Sequence, residues 1–112
     1  MKSDRFFQKN VVITGGSSGI GLEIAKNFAL IGANLFLIAR DEKKLTLARK
    51  QILEQYGQSC NIHTFSADVS NRKEIEQVIN NIANENGGIH TLINNAGIVK
   101  VGLFENIQVE DI

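Results

Sequence analysis

The 112-residue chain predicts an α/β fold built on a doubly wound parallel sheet. Three observations lead there. Short segments rich in β-branched and aliphatic residues alternate with segments of helical period, in the order β-α-β-α-β-α-β. The connections are short, as they are when crossover helices join parallel strands. One strand segment, "LFLI", lacks polar alternation, which fits a strand covered on both faces.

The elements follow in order. "VVIT" (Val11–Thr14) is the first strand, and "ANLFLIA" (Ala33–Ala39), "NIHTFSA" (Asn61–Ala67) and "HTLIN" (His90–Asn94) are the next three. In the first helical segment Ile20, Ile24, Phe28 and Ile31 recur at three- and four-residue spacing, and Gly32 is placed to end it. The second segment repeats Leu45, Ala48, Ile52 and Tyr56 on one face, with Gly57 beyond. The third carries the stripe Ile75, Val78, Ile79 and Ile82. It starts near Ser70–Asn71, with Glu74 as capping-box partner to Asn71, and stops at Gly87–Gly88. The closing "FENIQVEDI" reads as the opening of a fourth helix, so residues 1–112 are expected to form one domain cut within that helix.

Between the first strand and first helix lies "GGSSGIG". Gly15, Gly19 and Gly21 give the spacing G-x-x-x-G-x-G at a strand-to-helix turn. A phosphate there meets free backbone N–H groups and the positive end of the helix dipole. Missing side chains let the backbone come close, allow the tight turn and let helix pack on strand. Ser17 and Ser18 add hydroxyl donors, and no Gly-Lys-Ser/Thr follows, which disfavours a triphosphate loop. A glycine turn that binds nothing is the plain alternative.

"TGGSSGIG" (Thr14–Gly21) resembles the cofactor loop of the short-chain dehydrogenase/reductase family, T-G-x-x-x-G-I-G, and "NNAG" (Asn94–Gly97) resembles that family's second motif after the fourth strand. The resemblance runs from Lys9 onward. It implies a Rossmann-type domain binding a nicotinamide dinucleotide, with Gly15, Ser17, Ser18, Gly19, Ile20 and Gly21 at the pyrophosphate. It further implies Asp68 at the adenine amino group, Val69 offering its backbone, and Asn95, Ala96 and Gly97 along the adenosine. The structural alternative for Asp68 is a cap on the next helix.

The end of the second strand, "LFLIAR", selects the dinucleotide. A carboxylate there binds the ribose hydroxyls, whereas an arginine accommodates a 2′-phosphate. Arg40 supplies a planar fork and Lys44 lies one helical turn on, while Asp41 is placed to cap the following helix. NADP(H) is therefore expected over NAD(H). The alternative is that both cations merely solvate a surface.

Other classes find no support. The chain has 12 basic and 12 acidic residues and no like-charged run, so no nucleic-acid partner is expected. Cys60 stands alone, excluding an internal disulfide, and no metal-ligand spacing appears. No apolar run approaches the roughly 20 residues of a membrane span, and "MKSDRFFQKN" is too polar for a signal peptide, so a cytoplasmic location is expected. Membrane association of a longer form stays open. His90 stands where the family more often has an acidic residue. It is assigned no chemistry.

The resemblance implies hydride transfer to or from a carbonyl carbon, with a tyrosine, a lysine four residues on, a serine and a fourth-helix asparagine. In the family these follow "NNAG". Tyr56, the single tyrosine, precedes that motif and has Cys60 four positions on, so no catalytic residue is assigned and the chain alone is expected to be inactive. Two readings stand: the cofactor half of a longer reductase that forms homo-oligomers, or a short non-catalytic binder of a nucleotide or partner. "TGGSSGIG", "ARDEKKL", "DVS" and "GLFENIQVEDI" together are similar to reductases of 3-ketosphinganine, which implies an acyl-lipid or other small-molecule carbonyl substrate.

Overall fold

The computed structural model describes residues 6–95 and 108–111. Strands β1 (Asn10–Thr14), β2 (Asn34–Ala39), β3 (Ile62–Ser66), β4 (Thr91–Asn94) and β5 (Gln108–Asp111) alternate with helices α1 (Gly19–Leu30), α2 (Glu42–Tyr56) and α3 (Arg72–Asn86) until β4. All pairings are parallel and the sheet order is β3-β2-β1-β4-β5. The chain steps outward from β1 to β3, then crosses back to β4 on β1's other side. Crossovers of one hand then put α1 and α2 on one face and α3 on the other.

The core records this division. Val11, Ile13, Leu35, Leu37 and Ile93 pack with Ala25 and Ala29 of α1 and with Leu45 and Ile52 of α2. Val12, Phe36, Ile38 and Leu92 turn the other way, onto Ile75, Ile79 and Ile82 of α3. Successive strand residues thus serve opposite layers, and the apolar run of β2 is buried on both sides. Full burial of an isoleucine contributes about 1.5–3 kcal/mol. Three on one stripe hold α3, a 15-residue helix that would be marginal in isolation.

The fully buried residues of α1 are Gly21, Ala25 and Ala29, beside the larger apolar stripe. Ile24 and Phe28 pack along the flank, Phe28 edge-on to Phe6 with ring centroids 5.0 Å apart, while Ile20 is 64% exposed. Small residues win because they let the helix axis lie close to the sheet. Gln108–Asp111, expected within a fourth helix, form a strand beside β4. Pairing satisfies the outer backbone groups of β4, which a free edge leaves without partners. The edges of the described sheet are therefore β3 and β5, not β4.

At the amino edge of the sheet three asparagines form a chain. Asn61 Nδ2 donates to Asn34 Oδ1 at 3.2 Å, and Asn34 Nδ2 donates to Asn10 Oδ1 at 3.1 Å. Asn10 Nδ2 donates in turn to the carbonyls of Asn86 and Gly88, at 2.9 and 2.8 Å, clasping the end of α3 to β1. His90 completes the clasp: its Nδ1 accepts the Asn10 N–H at 2.8 Å, and its own N–H donates to the Asn10 carbonyl. The imidazole ring thus supplies an acceptor to the first amide of β1. Asn10 is only 6% exposed, so its bonds are not readily replaced by water. Asn10→Ala is expected to lower the unfolding free energy by about 1–3 kcal/mol. Asn27→Ala, which removes one exposed bond to Glu23, should cost about 0.5 kcal/mol or less. Urea denaturation of the two variants beside the parent checks the contrast.

Candidate functional site

The order in which the chain adds strands reverses between β1 and β4, and the carboxyl ends of these two parallel strands open onto one place. In open α/β sheets such a switch point is where ligands bind. The turn after β1 and the start of α1 lie there, fastened from both sides. Gly15 N–H donates to the Ile38 carbonyl at 2.7 Å, and Asn95 Nδ2 donates to the Gly15 carbonyl at 3.2 Å.

Gly21 decides how near α1 can come. A Cβ at position 21 would stand 2.0 Å from the Gly15 carbonyl oxygen and 2.9 Å from Asn95 Nδ2. Only glycine lets the first turn of α1 lie against the end of β1. Gly19 has a different reason. Its φ is +58°, the left-handed region, and nothing lies within 4 Å of where its Cβ would be. It faces open space at the helix's leading end.

The three helix starts differ in one respect. At α2, Asp41 Oδ1 accepts the N–H groups of Lys43 and Lys44, with Glu42 in the first turn. At α3, Asn71 Oδ1 accepts the Glu74 N–H, with Glu74 itself acidic. At α1 the N-cap residue Ser18 makes no side-chain cap bond and the first turn holds no acidic residue. Its donors and its dipole are left for something else. Ser18, Gly19 and Ile20 are exposed and Ser17 is half-buried. These residues form the positively polarised end of the site.

The remaining described residues assigned from the sequence lie at the same carboxyl edge. Arg40 follows the last residue of β2 and is exposed, as is Lys44 in the first turn of α2; neither forms an ion pair with another described residue. Asp68 and Val69 follow β3 and are half-buried. Asp68 does not cap α3, a task that falls to Asn71. Its Oδ1 accepts the Ser70 hydroxyl at 2.6 Å and the Ser70 N–H at 3.0 Å. The hydroxyl bond chiefly, then the N–H bond, hold the Asp68 carboxyl below the usual aspartate value; burial opposes them and the Arg40 charge assists. Arg40 and Asp68 therefore sense each other across the ends of β2 and β3. Asn95 is half-buried and engaged with Gly15, while Ala96 and Gly97 lie outside the described residues. Two contributors escaped the sequence reading. Ser66 and Ser70 tie down Arg40 and Asp68, and a serine near a strand end carries no periodic signal.

Tyr56 sits at the opposite edge of the sheet. With Phe7, Leu30, Gly32 and Cys60 it lines a hollow of about 700 Å³ beside the strands' amino ends. It is thus remote from the glycine turn. Among the described residues no cluster of His, Cys, Asp or Glu can hold a metal, and no helix is long and apolar enough to cross a membrane.

The chain is similar in sequence and fold to known proteins. The family model described as short chain dehydrogenase matches residues 9–112. The 11-beta-hydroxysteroid dehydrogenase 1A of Arabidopsis thaliana is 37% identical over 106 residues, covering 95% of this chain and 30% of its own length. The human short-chain dehydrogenase/reductase 3 is 41% identical over 93 residues, covering 82% of this chain and 30% of its own. The structure of L-sorbose reductase from Gluconobacter frateurii, complexed with NADPH and L-sorbose, superposes with a TM-score of 0.73 at 36% identity. It covers 82% of this chain and 34% of that one. The chain therefore spans about a third of the length of the proteins it matches.

Two measurements check the site's physics. Gly21→Ala is expected to destabilise the fold by about 3 kcal/mol or more, since backbone rather than a side chain must yield. Gly19→Ala meets no neighbour and should cost only the left-handed strain of about 1–2 kcal/mol. Thermal unfolding ranks the two. Asp68 also makes stability depend on pH. Its folded value is depressed, so its contribution is complete above the unfolded carboxyl range and disappears as pH falls through the lowered value. An NMR titration of the Asp68 carboxyl should show it moving back toward the ordinary value in Ser70→Ala, by more than in Arg40→Ala.

Proposed function

The chain belongs to the short-chain dehydrogenase family of oxidoreductases, and from that premise we propose that it is the cofactor-binding part of an NADPH-dependent reductase. The observation behind the proposal is the start of α1, uncapped and without an acidic residue at the sheet's switch point, beside a glycine turn with open space at Gly19. Those features fit a dinucleotide diphosphate. Gly19, Ile20 and Gly21 would offer backbone N–H groups to it, Ser17 and Ser18 their hydroxyls, and α1 its dipole. Because Gly19 faces open space, its alanine variant should retain the fold while binding dinucleotide more weakly.

In the same reading Asp68 accepts from the adenine amino group through the oxygen that Ser70 leaves free, and Val69 offers its backbone. Asn95 already holds the turn, and Ala96 and Gly97 continue along the adenosine. Arg40 and Lys44 meet the 2′-phosphate, with the Asp41 carboxylate engaged by the N–H groups of Lys43 and Lys44 and that of Asp68 by Ser70. Once bound, the nicotinamide supplies the hydride. This chain's residues hold and orient it, and the proton-transferring groups are expected from the part of the family's length that these residues do not span.

The substrate reading is a ketone or 3-oxo compound, either a small molecule or an acyl lipid, acted on by a homo-oligomer of the longer protein. Matched proteins are named for hydroxysteroid in one case and L-sorbose in another, so the shared third of their length leaves the substrate open. The test is binding of NADPH and NADH to the parent and to Arg40→Ala. NADPH should bind the parent more tightly, and the variant should lose about tenfold or more for NADPH with little change for NADH. Equal affinity of the parent for both, or an unchanged preference in the variant, overturns the NADPH assignment.

A further inference from the structure

Where β2 and β3 part at the carboxyl edge, the last bond between their chains falls on the residue proposed to read the 2′-phosphate. Regular pairing ends with Ala39 opposite Ser66, and Ala67 N–H donates to the Ala39 carbonyl at 2.9 Å. One more bond lies beyond the ladder. Ser66 Oγ donates to the Arg40 carbonyl at 2.9 Å, a side chain continuing the tie after the backbone pairing has stopped. The next residue, Asp41, is fixed from the other side by its bonds to the N–H groups of Lys43 and Lys44. Both residues linking β2 to α2 are therefore held.

The direction in which a side chain leaves its Cα follows from the backbone at that residue. Arg40 is exposed and has no ion-pair partner among the described residues, so the backbone is the chief restraint on where its long side chain begins. Its guanidinium acts on Asp68, on the β3 side, where Ser66 also lies. A side chain already directed to one region loses less freedom when it grips an anion.

We propose that Ser66 is a positioning residue for dinucleotide selectivity: by holding the Arg40 carbonyl it aims the guanidinium at the 2′-phosphate of the adenosine ribose. The inference rests on the reading of Arg40 given above and adds the residue that makes Arg40 selective. Ser66 is assigned no contact with the ligand. Its hydroxyl is spent on the Arg40 carbonyl, and the 5′-phosphate is bound elsewhere, at α1. The effect is therefore confined to the 2′-phosphate.

Calorimetric binding of adenosine 2′,5′-bisphosphate and of adenosine 5′-monophosphate to the intact protein tests this, since the two probes differ only in that group. Ser66→Ala should weaken the bisphosphate about three- to tenfold, the range for losing one neutral hydrogen bond, and leave the monophosphate unchanged. Ser66→Thr, which keeps the hydroxyl, should restore selectivity, and Ser66→Ala should add nothing in an Arg40→Ala background. If Arg40→Ala abolishes selectivity but Ser66→Ala does not alter it, the inference fails and the reading of Arg40 survives. If selectivity persists in Arg40→Ala, both fail. Equal weakening of the two probes by Ser66→Ala indicates a general structural role and also overturns the inference.

Discussion

The contact between the first turn of α1 and the end of β1 governs the rest of this molecule. With a hydrogen in place of a side chain at position 21, the helix backbone lies against the Gly15 carbonyl; any Cβ would stand 2.0 Å from that oxygen. The same closeness continues along the helix, where Ala25 and then Ala29 face the sheet. An axis drawn so near the strands directs its N-terminal N–H groups over the carboxyl edge, between β1 and β4, where the strand order reverses. A larger residue at position 21 would lift the helix and move those donors with it. Packing and the placing of those donors therefore share one cause.

The two edges of the sheet are finished in opposite ways. At the amino edge, the Asn61–Asn34–Asn10 chain and the imidazole of His90 occupy one another's donors and acceptors, and α3 is clasped to β1 by the result. Those groups act on stability. At the carboxyl edge, hydrogen bonds hold the loops, and Arg40 and Lys44 form no ion pair with another described residue. Asn95 secures Gly15, Ser66 secures Arg40, and Ser70 secures Asp68. Each fastening residue is short and neutral, and what it holds is a backbone carbonyl at Gly15 and Arg40 and a carboxylate at Asp68. That arrangement is suited to recognising a charged ligand without reorganising the backbone around it.

Where the structure departs from the sequence reading or adds to it, each difference has a physical source. Ile20, Ile24 and Phe28 share one helical face, yet periodicity cannot distinguish the face nearest the sheet from one that merely flanks it; proximity favoured glycine and alanine instead. The segment Gln108–Asp111 has a helical look in isolation, but β4 presents an edge whose backbone groups seek partners, and strand pairing makes little demand on the side chains. The asparagine chain was invisible because asparagines before strands resemble loop residues. Their meaning arises from register, with Asn10 beside Asn34 across two parallel strands.

The order of strands and helices through β4, their approximate limits, the helix stops at Gly32, Gly57 and Gly87, and the glycine turn were all determined by the sequence alone. They depend on local conformational preference and on hydrophobic period, which are properties of neighbouring residues. Tertiary structure alone decided which face of α1 is buried, that α1 begins uncapped at a switch point, and that serines brought from β3 and its following turn restrain Arg40 and Asp68. Those facts depend on residues as far apart as Gly15 and Asn95 meeting, which parallel crossover connections produce and no local pattern records.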